Sequence, residues 1–149
     1  MDEVPHGLLP TELMIGHPEV DAQHDEIFCR IETLKAVMLE DGQPHHAEFD
    51  ALIAFFELHF ATEEACAQAA GIDFSAHARE HLKSLRILSR AVADLRDGRL
   101  DLRTFLRYLE YWFEQHINDF DKALGHRLED ARARGSRSLR SPAGIGLSA

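Results

Sequence analysis

The chain reads as an all-α protein, an up-down-up-down antiparallel four-helix bundle. Three observations predict this. Apolar residues recur every three to four positions through four long segments. Strand-like alternation is absent. The connections between segments are short, and short connections make successive helices antiparallel neighbours. At 149 residues the chain fits one domain with a real core.

Residues 1–18 form an irregular lead-in, punctuated by Pro5, Gly7, Pro10, Gly16 and Pro18. The helical domain spans residues 19–130. Its first helix runs from about Glu19 to Glu40 and stops at Asp41-Gly42. Its apolar stripe is Ile27, Phe28, Ile31, Leu34 and Met38, with His24 one turn upstream. The second helix runs from about His45, after Pro44, to Ala70, and Gly71 ends it. Its stripe holds Phe49, Leu52, Ile53, Phe56, His59, Phe60 and Glu63. The third starts near Ser75, read as its N-cap, and ends before Gly98. Its stripe is His77, His81, Leu85, Leu88, Val92 and Leu95. The fourth begins after Asp101, a second cap, and runs to about Asp130. Its stripe is Leu102, Phe105, Leu106, Leu109, Phe113, His116, Ile117, Phe120 and Leu124.

Composition narrows the function classes. Lys and Arg total 16 against 26 Asp and Glu, a net charge of −10. The segment from Ala131 carries Arg132, Arg134, Arg137 and Arg140 and no acid, which leaves the rest near −14. An acidic body argues against nucleic acid as a partner. Residues 131–149 read as an Arg/Ser/Gly-rich flexible tail, the one candidate contact for a protein partner. No apolar run reaches the ~18–20 residues that span a membrane. The N-terminus lacks a secretory pattern, so a cytoplasmic monomer is expected. Cys29 and Cys66 are expected to be buried thiols.

The informative feature is polar residues on apolar stripes. His24, His59, Glu63, His77, His81 and His116 occupy positions that should face the core. His59/Glu63 and His77/His81 are pairs four residues apart, on one helix face each. A buried carboxylate without a partner costs several kcal/mol, so the core must satisfy these groups by mutual pairing or by metal. Helix direction adds a second argument. His24 and the His77/His81 pair sit near helix starts; His59, Glu63, His116 and Asp121 sit in the second halves of theirs. In an antiparallel bundle all seven meet at one end. Imidazole and carboxylate together suit iron, zinc or manganese. Asp121 fits least: five residues from His116 is about 140° around a helix, so the helix must distort or Asp121 must reach from the flank. His6, His17, His45, His46 and His126 lie outside the pattern.

Four motifs in order resemble the hemerythrin family, in particular its single-domain bacterial members. They are Asp21-Ala22-Gln23-His24 within the stretch from Gly16, His59-Phe60-Ala61-Thr62-Glu63-Glu64, His77-Ala78-Arg79-Glu80-His81, and His116-Ile117-Asn118-Asp119-Phe120-Asp121. The resemblance covers about residues 13 to 124. It implies a non-haem, oxo- or hydroxo-bridged di-iron centre that binds dioxygen reversibly, and no enzyme. One iron would take His77, His81 and His116, the other His24 and His59, with Glu63 and Asp121 bridging. It also implies that the five-residue step to Asp121 belongs to the motif. Phe28, Phe56, Phe60, Ile117 and Phe120 are expected near the site.

Three departures stand out. Leu8, Leu9 and Leu13 occupy the region where many relatives carry a tryptophan, residues 70–74 lack the usual Gly-Tyr-Pro-like turn, and Cys66 stands where methionine is common. Two other readings share the ligands: sensing or scavenging of nitric oxide or peroxide at the same centre, and a zinc protease through the inverted motif His77-x-x-Glu80-His81. A ferritin-like oxidase would need Glu-x-x-His on two helices, which the site region lacks.

Overall fold

A computed structural model describes residues 7–41 and 46–145, with side chains described for 7–37 and 46–135. The expectations for Pro5, His6, Met38, Gly42, Pro44, His45, the side chains of Arg137 and Arg140, and residues 146–149 bear on residues or side chains outside that set. Helix α1 spans Pro18–Asp41, α2 His46–Ala69, α3 Ser75–Arg96, α4 Leu102–His116 and α5 Lys122–Ile145. A single π-helical turn, Ile117–Asp121, joins α4 to α5, so the last three pieces form one continuous rod and the fold is a four-helix bundle. Among the described residues there is no strand. Helix α1 packs on α2 and α4, and α2 packs on α3 and α5.

The helix ends follow their sequence signals in most places. Gly71 and Gly98 adopt φ of 70° and 74°. Gly71 N–H donates to Gln68 O and Ile72 N–H to Ala67 O, which closes α2 as a Schellman turn. Gly98 N–H to Leu95 O and Arg99 N–H to Asp94 O do the same for α3. Only glycine holds that left-handed position without strain. Asp101 caps α4 by accepting from Thr104 N–H at 3.1 Å. Ser75 is not the cap of α3. It is the first helical residue, and Asp73 Oδ1 accepts from both its N–H at 3.0 Å and its hydroxyl at 2.7 Å. At the other end of the rod, α5 does not stop near Asp130 but stays helical to Ile145. Ala and Arg favour helix there, and Arg132 pairs with Glu129 across one turn.

The core has layers along the bundle axis. A large apolar cluster includes Ile27, Ile31, Phe49, Leu52, Phe56, Leu88, Leu106, Leu109 and Phe113. A small one, Ala67, Phe74 and Leu124, closes the end where α2 finishes and α3 begins. The polar residues of the stripes lie between the two.

The lead-in is fastened over that end. Asp21 accepts from Ile15 N–H and Gly16 N–H at 2.8 and 3.1 Å, and Asp25 accepts from Gly7 N–H and Leu9 N–H at 3.0 and 2.8 Å. Leu13 is buried and Leu9 packs on the core, so these leucines supply apolar cover, while Leu8 is exposed. Ile15 lies so near α5 that a Cβ on Gly125 would sit 2.6 Å from its carbonyl oxygen and 2.9 Å from its Cβ. Gly125→Ala is therefore expected to cost about 1–3 kcal/mol, as overpacking does. An unchanged urea midpoint would contradict the close contact.

Candidate metal centre

All seven singled-out side chains meet in one buried layer. His24, His59, Glu63 and Asp121 have no exposed surface, and His81, His116 and His77 are 5%, 3% and 8% exposed. Their potential ligand atoms form two overlapping groups, each within 4.8 Å. One contains His77, His81, His116, Glu63 and Asp121; the other contains His24, His59, Glu63 and Asp121. The groups share only the two carboxylates.

Asp121 enters this layer because of the π turn. Lys122 N–H bonds to Ile117 O, five residues back, so the turn takes up one more residue than an α turn. That extra residue returns Asp121 to the face of His116, which a straight helix would have missed by about 140°. Asp121 Oδ1 lies 3.2 Å from His116 Nε2 and 3.0 Å from His77 Nε2, and its Oδ2 lies 3.0 Å from His24 Nε2. Glu63 Oε1 is 2.7 Å from His59 Nε2 and 3.9 Å from His81 Nε2, and Oε2 is 3.6 Å from His77 Nε2. Each carboxylate therefore reaches both groups of histidines.

The cluster is not self-sufficient as a hydrogen-bond network. Both oxygens of Glu63 and Asp121, and Nε2 of His24, His59 and His77, are buried without a geometrically sound hydrogen bond. Ten such atoms occur among the described residues, and all but Ser84 Oγ belong to these side chains. Buried polar atoms are nearly always paired, and seven of these, the four carboxylate oxygens and the three Nε2 atoms, converge where one set of partners could satisfy them. Acceptor atoms converging from two carboxylates and several imidazoles call for cations.

The electrostatics agree with ligand duty. Burial, then the nearby His24, lowers His59 from its usual 6.5 to about 3. Burial, then His77 and His116, lowers His81 to about 2. Both rings are thus neutral at physiological pH, the form that coordinates metal. Burial and the neighbouring Asp121 push Glu63 well above its ordinary range. Burial would raise Asp121 too, but contacts to His116, His24 and His77 win and hold it well below. Neighbouring carboxyls whose proton affinities are pushed apart in this way are a feature of candidate functional sites.

A test follows on the metal-free protein. Between pH 6.5 and 4.5 the unfolded chain protonates His59 and His81 while the folded one does not, so stability falls as pH falls. Glu63 acts in the opposite sense over that window, because its folded form holds the proton longer. Two histidines outweigh one glutamate, so acidification over this range lowers stability, by on the order of 1 kcal/mol per pH unit. Urea denaturation across this range reads it. A midpoint rising on acidification would contradict the assignment.

Aromatic rings enclose the layer. Phe60 stacks on His81 at 3.7 Å, Phe74 on His77 at 4.4 Å, and Trp112 and Phe120 on His116 at 5.4 and 5.3 Å. On the other side Phe113 stands edge-on to His24 at 5.3 Å. Of the residues expected near the site, Phe60 and Phe120 touch ligand rings directly. Phe28 and Phe56 back onto Phe113 at 5.2 and 5.5 Å, and Ile117 is buried beside His116. Cys29 is buried, whereas Cys66 is only half-buried; it belongs to neither group, and its Sγ lies 3.8 Å from His17 Nε2. Glu80, the base of the inverted zinc motif, is also in neither group.

The chain is 32% identical over 126 residues to a bacteriohemerythrin of Ralstonia nicotianae, covering 80% of this chain and 90% of the relative. It belongs to the bacterial hemerythrin family. A bacteriohemerythrin of Methylococcus capsulatus is 29% identical over 108 residues, 70% of this chain and 82% of the relative. No family model matches, and no solved structure matches. Sequence reading missed the contacts of Phe74 with His77 and of Trp112 with His116, although each precedes its histidine by three or four residues; Phe113 meets His24 and His59 on other helices, which no local spacing reveals. It placed Gln23 in a motif but gave it no role, and its Oε1 lies 2.8 Å from His59 Nδ1.

Proposed function

We propose that this hemerythrin holds two iron ions and binds dioxygen reversibly. His77, His81 and His116 would hold one ion, His24 and His59 the other, and Glu63 and Asp121 would bridge them. The observation that carries the reading is the overlap of two donor groups in two carboxylates alone. A lone zinc site needs three or four ligands and leaves no reason for a second group. Iron accepts mixed imidazole and carboxylate ligation and keeps open positions.

When bound, a ferrous pair supplies the two electrons that dioxygen takes up on binding and returns on release. The chain's own residues do the rest. The two-histidine group offers one imidazole fewer than the other, so an ion held by His24 and His59 would leave more room for a small ligand. Phe113, backed by Phe28 and Phe56, walls that side with apolar surface and would exclude water from it. The stacked rings on His77, His81 and His116 fix those imidazoles in place. Both cysteines are free thiols, which suits a reducing compartment such as the cytoplasm. No described helix is long and apolar enough to cross a membrane.

Metal analysis of protein purified under reducing conditions tests the stoichiometry. The expected result is about two irons per chain. One zinc per chain and no iron would contradict it.

A further inference from the structure

We propose that Gln23 is a positioning residue that fixes the tautomer of His59. The inference rests on the di-iron reading above and adds how one ligand is made ready. Gln23 stands on α1 between the core positions Val20 and His24. It is half-buried, and it reaches across to α2 with both ends of its amide. Its Oε1 lies 2.8 Å from His59 Nδ1, and its Nε2 lies 3.0 Å from Thr62 Oγ1. Thr62 Oγ1 in turn lies 3.0 Å from the carbonyl oxygen of Leu58.

The polarity of this relay follows from its last member. A backbone carbonyl can only accept, so the Thr62 hydroxyl spends its proton on Leu58. The lone pairs of Thr62 must then receive a donor, and only the NH2 end of Gln23 can supply one. That choice turns the amide oxygen toward His59. Amide orientation and ring tautomer are normally matters of inference from the network, and here one carbonyl decides both. His59 therefore carries its proton on Nδ1. Its Nε2 presents a lone pair to the cluster, 2.7 Å from Glu63 Oε1. A lone pair facing a carboxylate oxygen is the geometry of two ligands awaiting one cation.

His59 differs in this from His24 and His116. The Nδ1 atoms of His24 and His116 are buried without a hydrogen-bond partner. His59 shares with His24 the group that has only two imidazoles, where each would contribute a larger share of the hold on a metal. A ring locked in the ligating tautomer loses nothing to rearrangement when metal arrives. Outer partners of this kind typically contribute 10–100-fold in metal affinity.

The test begins without metal. Nitrogen-15 histidine spectra of the metal-free wild-type protein should show His59 neutral, protonated at Nδ1 and bare at Nε2. Gln23→Leu should release the ring to the Nε2-protonated form and weaken ferrous binding by about 10–100-fold. Gln23→Glu still accepts from Nδ1–H and should restore both the tautomer and the affinity. An Nε2-protonated His59 in the wild-type protein overturns the proposal, whatever the variants do. So does a Gln23→Leu protein that keeps both tautomer and affinity. Failure of the di-iron reading looks different: the wild-type protein would take up fewer than two irons while the tautomer stayed as described.

Discussion

Replacing Glu63 with alanine should reduce bound iron from about two ions per chain to one or none, because the residue reaches both histidine groups. Its Oε1 is 2.7 Å from His59 Nε2 and its Oε2 is 3.6 Å from His77 Nε2. Stability separates a ligand from a structural ion-pair partner. Removing one member of a buried structural pair costs about 3–5 kcal/mol. A carboxyl kept for metal is instead a burden on the metal-free protein, as its burial-raised proton affinity indicates. Glu63→Leu should therefore lose the iron and leave the metal-free protein as stable as before, or more so by about 1–4 kcal/mol. Unchanged iron content, or a loss of about 3 kcal/mol or more without metal, would contradict the bridging role.

Phe113→Ala should be the most damaging of the apolar substitutions at the site. The ring is fully buried and meets Phe28, Phe56, His24 and His59 with centroids 5.2–6.5 Å away. Truncating a buried phenylalanine costs about 3–5 kcal/mol, a large share of the about 5–15 kcal/mol that holds a domain together. Phe113→Leu keeps most of the volume and should cost less than about 1.5 kcal/mol. Urea denaturation of the two variants measures both. A Phe113→Ala protein within about 1 kcal/mol of wild type would show that this ring is not part of the wall.

Much of the architecture was legible because apolar spacing and helix-ending glycines are local signals. Gly71 and Gly98 close their helices where the sequence places the stops. The convergence of seven polar groups was legible because helix direction and level follow from order alone. Asp121 shows where that logic reaches its limit. Ideal α geometry puts it on the wrong face, and only the π turn brings it back. The family motif carried the information that ideal helix geometry lacked. Ser75 was misassigned as the cap of α3 because it is a good capping type; the cap position falls on Phe74, which has no side-chain cap bond, and Asp73 bonds the first helical residue instead. The end of α5 was placed too early because composition read Arg132 and Arg134 as solvated. The i,i+3 pair of Arg132 with Glu129 supports the helix instead.

The role of Gln23 was hidden for a different reason. A glutamine beside a core histidine has no spacing rule that names its partner. Its role depends on a contact between two helices, 36 residues away in sequence. The same holds for Ile15 over Gly125, where the missing side chain is explained only by the strand of lead-in that crosses it.

The central claim is that two carboxylates and five histidines hold an iron pair able to bind and release dioxygen. Anaerobic, reduced protein carrying two irons should be nearly colourless. On exposure to air it should gain a visible band, and removing dioxygen should return the starting spectrum through repeated cycles. Irreversible bleaching on the first exposure, or no band at all with two irons bound, would contradict the account.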